Sequence, residues 1–310
     1  MFLGVKIPKN IYKYIIMIKY LVISSGAHKI IKQFSTIYTL IEKKYIDLNN
    51  IEKIYGTSSG SIIALVLSLN LDIKIIYDYL LNRPWEKLYK IDTDRLFNSY
   101  NNNGIFNIDI FLKSIKPILK LTNLRDNFTF KDIYAYSGKE LNFFATNCNN
   151  LNSEEFSYKK TPNYSVMNAV YMSCSIPLVF KPIKYNNIFH LDGALSTPFP
   201  MYEFLKDNSG CDLDEIFGID ISFDQSYNHI NDNNMLNFNI DLIYNGITKW
   251  WSSRKKIYTK KIKNIIYVNC GEKLFLEEIY NVVNKKEKRM QYYETGRKDA
   301  EDFLKSINYL

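Results

Sequence analysis

The chain has 310 residues, of which 46% are hydrophobic and 23% charged. That length allows one large α/β domain or two small ones, and the apolar content excludes a disordered chain. The net charge of +8 permits contact with anionic membranes or nucleic acid. However, the lysines are interleaved with Ile, Asn and Tyr, so charge by itself names no partner.

Residues 1–18 read as an extension before the domain. Lys6, Lys9, Lys13 and Lys19 interrupt the apolar patches of the N-terminal region. No stretch reaches the ~18 apolar residues of a membrane span, and no clean signal-peptide pattern is present. Tyr20–Ser24 is a short apolar run that predicts a buried first strand. It enters a small-residue turn, Ser25-Gly26-Ala27-His28-Lys29, and Ile30–Lys44 then shows the three- and four-residue apolar spacing of a helix. Ile51–Tyr55 predicts a second strand, and a helix is expected over Ser61–Leu69. Strand, helix, strand, helix is the opening of a mainly parallel sheet covered by helices.

A helix is also expected over Leu71–Leu81. Pro84-Trp85 suggests a boundary, and Asn101-Asn102-Asn103-Gly104 reads as a turn. Asn107–Leu121 predicts a helix kinked or restarted at Pro117, and Phe130–Tyr136 a short one. Residues 82–137 together read as a helical insert: a lid, a wall of a substrate pocket, or a plain surface hairpin. Strands are expected at Leu141–Thr146, Glu155–Tyr158, Ile188–Leu191, Glu215–Phe223 and Ile265–Asn269. Helices are expected at Val166–Ser173, from Met201 to Lys206, and over Ile240–Tyr258, with an exposed loop at 224–239. The domain spans 19–270 in this reading, and 271–310 is a charged helical tail. Cys148, Cys174, Cys211 and Cys270 share no C-x-x-C spacing, which argues against a disulfide framework or zinc site and fits a reducing, intracellular setting. The expected location is the cytoplasm.

Gly56-Thr57-Ser58-Ser59-Gly60 has the G-x-S-x-G spacing of a nucleophile elbow, between an apolar pair and a helical run. A serine on such a turn stands clear of the sheet, with a helix N-terminus behind it. The simpler alternative is a Gly/Ser turn capping a buried helix. The base must be a histidine or a carboxylate. Of the three histidines, His190 alternates with Leu191 in a strand and reads as structural. Ser58, Asp192 and His229 would give a triad in formal order, but His229 lies in a polar stretch with no strand before it. Asp192 ends an apolar strand and precedes Gly193, where an α/β sheet delivers catalytic side chains.

In this combination the sequence resembles the patatin-like phospholipases, from Tyr20 to about Pro200. The pieces are Ile23–Lys29, similar to the family's glycine-rich oxyanion loop with its basic residue; the elbow in full; Ser173–Pro182, similar to the stretch before the catalytic aspartate; and Asp192-Gly193-Ala194. The resemblance implies a three-layer α/β/α fold, with a Ser58–Asp192 dyad that hydrolyses acyl esters of phospholipids or related lipids. It implies an oxyanion hole at Gly26 and Ala27, with Ser25, Lys29, Gly56, Gly60 and Gly193 in support, and neither metal nor cofactor. Lys29 would hold the loop or attract a phosphate; a solvated helix-start lysine is the alternative.

Two departures bear on activity. Ser25 and Ala27 stand where the family carries glycines, and Ile30 replaces a further one. Misaimed N–H donors would lower the rate, so a weak or inactive lipid-binding member is the rival reading. Trp250, Trp251 and the basic residues from Arg254 to Lys263 would suit an interfacial helix on anionic lipid; a buried Trp pair followed by a solvated charge run is the simpler account. No nucleic-acid motif accompanies them.

Overall fold

The computed structural model describes residues 17–222, 262–269 and 275–309, with isolated positions between 235 and 249. Of the expected extension, Met17 and Ile18 are described, and Ile18 is buried in the main core; residues 1–16 and, apart from such isolated positions, the loop at 224–239 and the helix at 240–258 lie outside the described residues, as do His229 and Trp250–Lys261.

The chain alternates strand and helix from the start: β1 Tyr20–Ile23, α1 Ile30–Glu42, β2 Lys53–Thr57 and α2 Ser59–Leu67. The next segment is mostly helical: α3 Ile73–Asn82, α4 Trp85–Leu88, α5 Thr93–Asn102, β3 Gly104–Phe106, α6 Ile108–Leu119 and α7 Phe130–Ser137. β4 Glu140–Asn147, β5 Ser153–Ser157, α8 Val166–Ser173, β6 Leu178–Phe180, β7 Ile183–Tyr185 and β8 Ile188–Asp192 follow. Last come α9 Met201–Asp207, β9 Ile216–Ser222, β10 Ile265–Asn269, α10 Phe275–Asn284 and α11 Lys286–Ser306.

Strands β10, β9, β1, β2 and β4 run parallel side by side. Such interior strands are covered on both faces, and their side chains divide accordingly. Leu21, Ile23, Ile54 and Phe143 enter the larger core beneath α1, α2, α7 and α8. Val22, Tyr55 and Phe144 enter a second core with Phe199, Met201 and Phe204 around α9. The architecture is the expected α/β one, a mostly parallel sheet flanked by helices. Among the described residues, no helix is long and apolar enough to cross a membrane.

The edges of β4 position everything that follows. β5 pairs antiparallel along 142–146, β2 pairs parallel along 140–144, and β8 pairs antiparallel along 145–147. A strand has two edges, and β5 overlaps both of the others, so β2 and β8 share the opposite edge end to end. Thr57 faces Phe144 and Asp192 faces the next residue, Ala145. The end of β2 and the end of β8 therefore meet.

Several elements differ from the sequence reading, among them the unexpected strands β6 and β7. Asn101–Gly104 is not an isolated turn: it closes α5, with Asn103 left-handed at its end (φ 56°), and Gly104 begins β3, which pairs parallel with β6. Pro117 neither stops nor restarts α6, which runs to Leu119. Proline cannot donate to the carbonyl four residues back, and here that carbonyl, on Lys113, accepts from the Arg83 guanidinium at 2.8 Å. Finally, the charged C-terminal helix lies along α1. Ser35 Oγ donates to the Tyr293 carbonyl (2.6 Å), Thr36 Oγ1 to that of Gly296 (3.1 Å), and Lys32 pairs with Asp299 (3.0 Å). This explains why the polar face of α1 is buried.

The glycine at the start of α2 is a packing requirement. A Cβ on Gly60 would overlap the carbonyl oxygen of Ile23, at the end of the neighbouring strand. Gly60→Ala should therefore lose about 1–3 kcal/mol, whereas Gly210→Ala, which meets open space, should stay within about 0.5 kcal/mol of the parent. Thermal or urea denaturation of the two variants measures the contrast; equal stabilities would refute it.

Candidate active site

The strand β2 delivers Ser58 and the helix α2 begins immediately after it, so a single residue makes the whole turn. It does so with φ 53° and ψ −123°, a conformation disfavoured for any residue with a Cβ, at a cost of about 1–3 kcal/mol. Neighbours fix it. The Ser58 N–H donates to Ser173 Oγ at 2.8 Å, and the Ser58 carbonyl accepts from Ser61 Oγ at 2.6 Å and from the Ser61 N–H at 2.8 Å.

Ser58 Oγ donates to Asp192 Oδ2 at 2.7 Å, joining residues 134 positions apart. The other carboxylate oxygen, Oδ1, accepts from the Ala194 N–H at 2.8 Å. The Asp192 backbone is held as well: its N–H donates to Ser175 O (2.9 Å) and its carbonyl accepts from Thr146 Oγ1 (2.8 Å). Gly193 follows where a Cβ would overlap the Phe144 carbonyl oxygen, so the ends of β8 and β4 can approach this closely. Asp192 is 3% exposed. Burial pushes its carboxyl up to about 7, although the hydrogen bonds from Ala194 and Ser58 act the other way. Burial and the charge of Asp192 also push the neighbouring Cys174 thiol far up, so it is protonated at neutral pH.

The turn after β1 packs against the first turn of α2. Gln33 on α1, fully buried, links the two: its Nε2 donates to the Ser24 carbonyl (2.9 Å) and its Oε1 accepts from Ser59 Oγ (2.9 Å). The Ser25 N–H is committed to Pro198 O (2.7 Å) and the Lys29 N–H to Gly26 O (2.8 Å), which encloses Gly26 and Ala27 in a tight turn. Ala27 has φ 42°, so the loss of glycine is felt here, at about 1–2 kcal/mol. Ile30 has no need of glycine's backbone freedom. It opens α1 with ordinary helical angles (φ −48°, ψ −40°) and packs against the main core.

Lys29 is not a solvated lysine. It is 5% exposed, and its Nζ donates to Tyr292 Oη at 2.9 Å. His190 is structural: it is fully buried between Glu154 Oε2 (2.7 Å) and the Ile188 carbonyl (3.0 Å). Gln33, Thr146 and Tyr292 carry no local signal in the sequence, because each acts through a partner distant in the chain. Beside the turn, Ala27 and Ile176 join an apolar cluster with Tyr89, Ile105, Phe106 and Val179. Among the described residues, no group of three or more His, Cys, Asp or Glu side chains could hold a metal ion.

The family model described as Patatin-like phospholipase matches residues 21–205, more than half of the chain. The Probable lipid hydrolase 463L of Invertebrate iridescent virus 6 is 32% identical over 197 residues, covering 62% of this chain and 66% of that protein. The Uncharacterized protein R571 of Acanthamoeba polyphaga mimivirus is 30% identical over 175 residues, 56% of each chain. The chain thus matches between about half and two thirds of the length of these curated relatives. Among solved structures, VipD from Legionella pneumophila shares the fold, with a TM-score of 0.50 at 19% identity, over 90% of this chain and 67% of that one.

The burial of Asp192 has a consequence for stability. The folded state holds a proton up to about pH 7 that the unfolded chain releases near 3.8. Charging Asp192 therefore destabilises the fold progressively as pH rises through that window, with no cost below it and the full cost above it. Asp192→Asn, which keeps the shape without the charge, should raise Tm by several degrees at about pH 8, and the gain should vanish towards about pH 4. Thermal melts across this range test it; a pH-independent difference would contradict it.

Proposed function

The chain belongs to the patatin-like phospholipase family, and on that footing we propose that it hydrolyses lipid acyl esters with Ser58 as nucleophile and Asp192 as general base. The observation that carries the proposal is the 2.7 Å hydrogen bond from Ser58 Oγ to a buried Asp192 carboxylate. Aspartate is ordinarily too weak a base to deprotonate a serine. Raised to about 7, it is matched to proton transfer at neutral pH.

As Ser58 Oγ attacks the ester carbonyl carbon, its proton passes to Asp192 Oδ2. The carbonyl oxygen becomes an oxyanion, received by the N–H groups of Gly26 and Ala27. Collapse of the tetrahedral intermediate breaks the bond to the alcohol oxygen, which leaves with the proton from Asp192. The acyl group remains on Ser58. Water then gives a proton to Asp192, attacks the acyl carbon, and Ser58 Oγ leaves and recovers that proton. The Ala194 N–H holds the second carboxylate oxygen, so Oδ2 stays turned towards Ser58 throughout.

The apolar cluster of Ala27, Tyr89, Phe106 and Ile176 supports an acyl chain as the group delivered to Ser58. Residues of the 82–137 segment then form a wall of the acyl pocket. Phospholipids and lysophospholipids are the substrates proposed, with contact at the lipid surface peripheral.

Purified protein should release fatty acid from fluorescently labelled phospholipid vesicles and from short-chain esters. Ser58→Ala and Asp192→Asn should each lower the rate by about 10³-fold or more. For the parent, kcat/KM should rise with pH and be half-maximal near 7, because only the ionised Asp192 accepts the proton. Equal residual rates in all three proteins would overturn the proposal in favour of a lipid-binding protein without hydrolysis.

A further inference from the structure

The turn proposed to receive the oxyanion is tied to the far end of the chain. Lys29 closes that turn through its backbone, and its side chain leaves the site and enters a buried polar cluster. Its Nζ donates to Tyr292 Oη at 2.9 Å and lies 4.4 Å from the centre of the Tyr292 ring. Tyr292 Oη in turn donates to Glu278 Oε2. The same carboxylate oxygen pairs with Lys288 Nζ at 3.1 Å, and that ammonium lies 4.9 Å from the ring centre. Tyr292 and Lys288 stand on α11 and Glu278 on α10.

Tyr292 is 6% exposed and Glu278 2% exposed, so these charges are held in low dielectric, where an ammonium needs its partners. Burial works against the Glu278 charge, yet the hydrogen bonds from Tyr292 and Lys288 and the nearby lysine charges hold its carboxyl below the ordinary range. His28 also borders the cluster, its ring 6.2 Å from that of Tyr292. Burial first, and the charges of Lys29 and Lys288 next, push it well down, so it is neutral. The platform is fixed in turn, because α11 is bonded to α1 through Ser35, Thr36 and Lys32. All three outer partners of Lys29 lie beyond residue 205, where the family match ends.

Ala27 sits two residues before Lys29 with φ 42°. A left-handed alanine persists only where its surroundings over-determine it. We propose that Tyr292, supported by Glu278 and Lys288, is a positioning residue that acts through Lys29 to hold Ala27 left-handed, so that the turn's N–H groups stay aimed at the reacting carbonyl. The inference rests on the reading of Gly26 and Ala27 as oxyanion donors. It makes the two C-terminal helices part of the catalytic apparatus without their touching substrate.

The test uses the full chain and a short-chain ester. Tyr292→Phe keeps the ring and removes the hydroxyl that joins Lys29 to Glu278. It should lower kcat by ~10-fold or more, within the range for a misaimed donor, with KM changed less than about 2-fold. Adding Ala27→Gly to Tyr292→Phe should restore most of the lost kcat, because glycine adopts the left-handed conformation without the anchor. Where Tyr292→Phe does not fold, Lys29→Met with Tyr292→Phe removes the buried ammonium together with its partner, and the same loss and the same rescue by Ala27→Gly are expected. Parental kcat in a folded anchor variant, or a loss that Ala27→Gly does not restore, would overturn the inference. Loss of Ser58-dependent hydrolysis in the parent itself would instead refute the functional reading on which it rests.

Discussion

One edge of β4 is shared by two strands in series, and the site depends on that arrangement. β2 occupies the edge as far as Thr57 opposite Phe144, and β8 takes it over at Asp192 opposite Ala145. Because the two strands run in opposite directions, both end at the same junction. What each chain does on leaving its strand is then dictated: Ser58 turns sharply into α2, and Asp192 caps the short turn that contains Ala194. The 2.7 Å contact between their side chains follows from strand register more than from any attraction between the groups. The same crowding explains why Gly193 follows Asp192.

The junction and the turn beside it also carry strain. Ser58 and Ala27 both hold positive φ, and Asp192 is a carboxylate buried with few donors. Among the described residues, two N–H or O–H groups reach it through its side chain, too few to offset its desolvation, so its proton affinity rises. A well-solvated aspartate would be more stable and a poorer base. The surrounding hydroxyls and amides carry the compensation: Ser173 and Ser61 on the elbow, Gln33 between the two turns, Thr146 beneath Asp192. Strain and burial are tolerated here because the flanking elements are locked by independent contacts.

How much of this the sequence displays depends on how local each cause is. The elbow is legible because a strand, a five-residue turn and a helix are contiguous. The strand Ile188–Asp192 is legible from its short apolar run, and α8 occupies Val166–Ser173 as its pattern predicts. Asp192-Gly193-Ala194 gains meaning only beside the elbow, so pairing it with Ser58 needed the family resemblance. β3 escapes notice because three residues, Gly104–Phe106, pair with Leu178–Phe180 more than 70 positions away, and strands so short carry no periodicity. Ile30 reads as a misfit because a resemblance transfers a residue type and not the angles it serves. The strain falls on Ala27 instead. Pro117 reads as a break because its effect on α6 is local, whereas the rescue by Arg83 comes from another helix. The sequence leaves a solvated Lys29 open as the alternative because the partner that excludes it lies 263 residues downstream.

That last separation carries the packing past the family match. The family match stops at residue 205, yet β9 and β10 complete the parallel sheet on the far side of β1. α11 buries the polar face of α1, and the side chain of Lys29 has its hydrogen-bond partner on that helix. Without α11, Lys32, Ser35 and Thr36 would face water on a helix that otherwise holds the turn after β1 through Gln33. The turn is thus reached from the C-terminal helix by two routes: directly through Lys29, and indirectly through α1. A turn short of glycine needs such outside support more than a glycine-rich one, because alanine in the left-handed region returns to the right-handed one when it is free to do so. Sequence change in the loop and packing of the C-terminal helices are therefore one physical problem: each glycine replaced in the turn increases what the helices must hold.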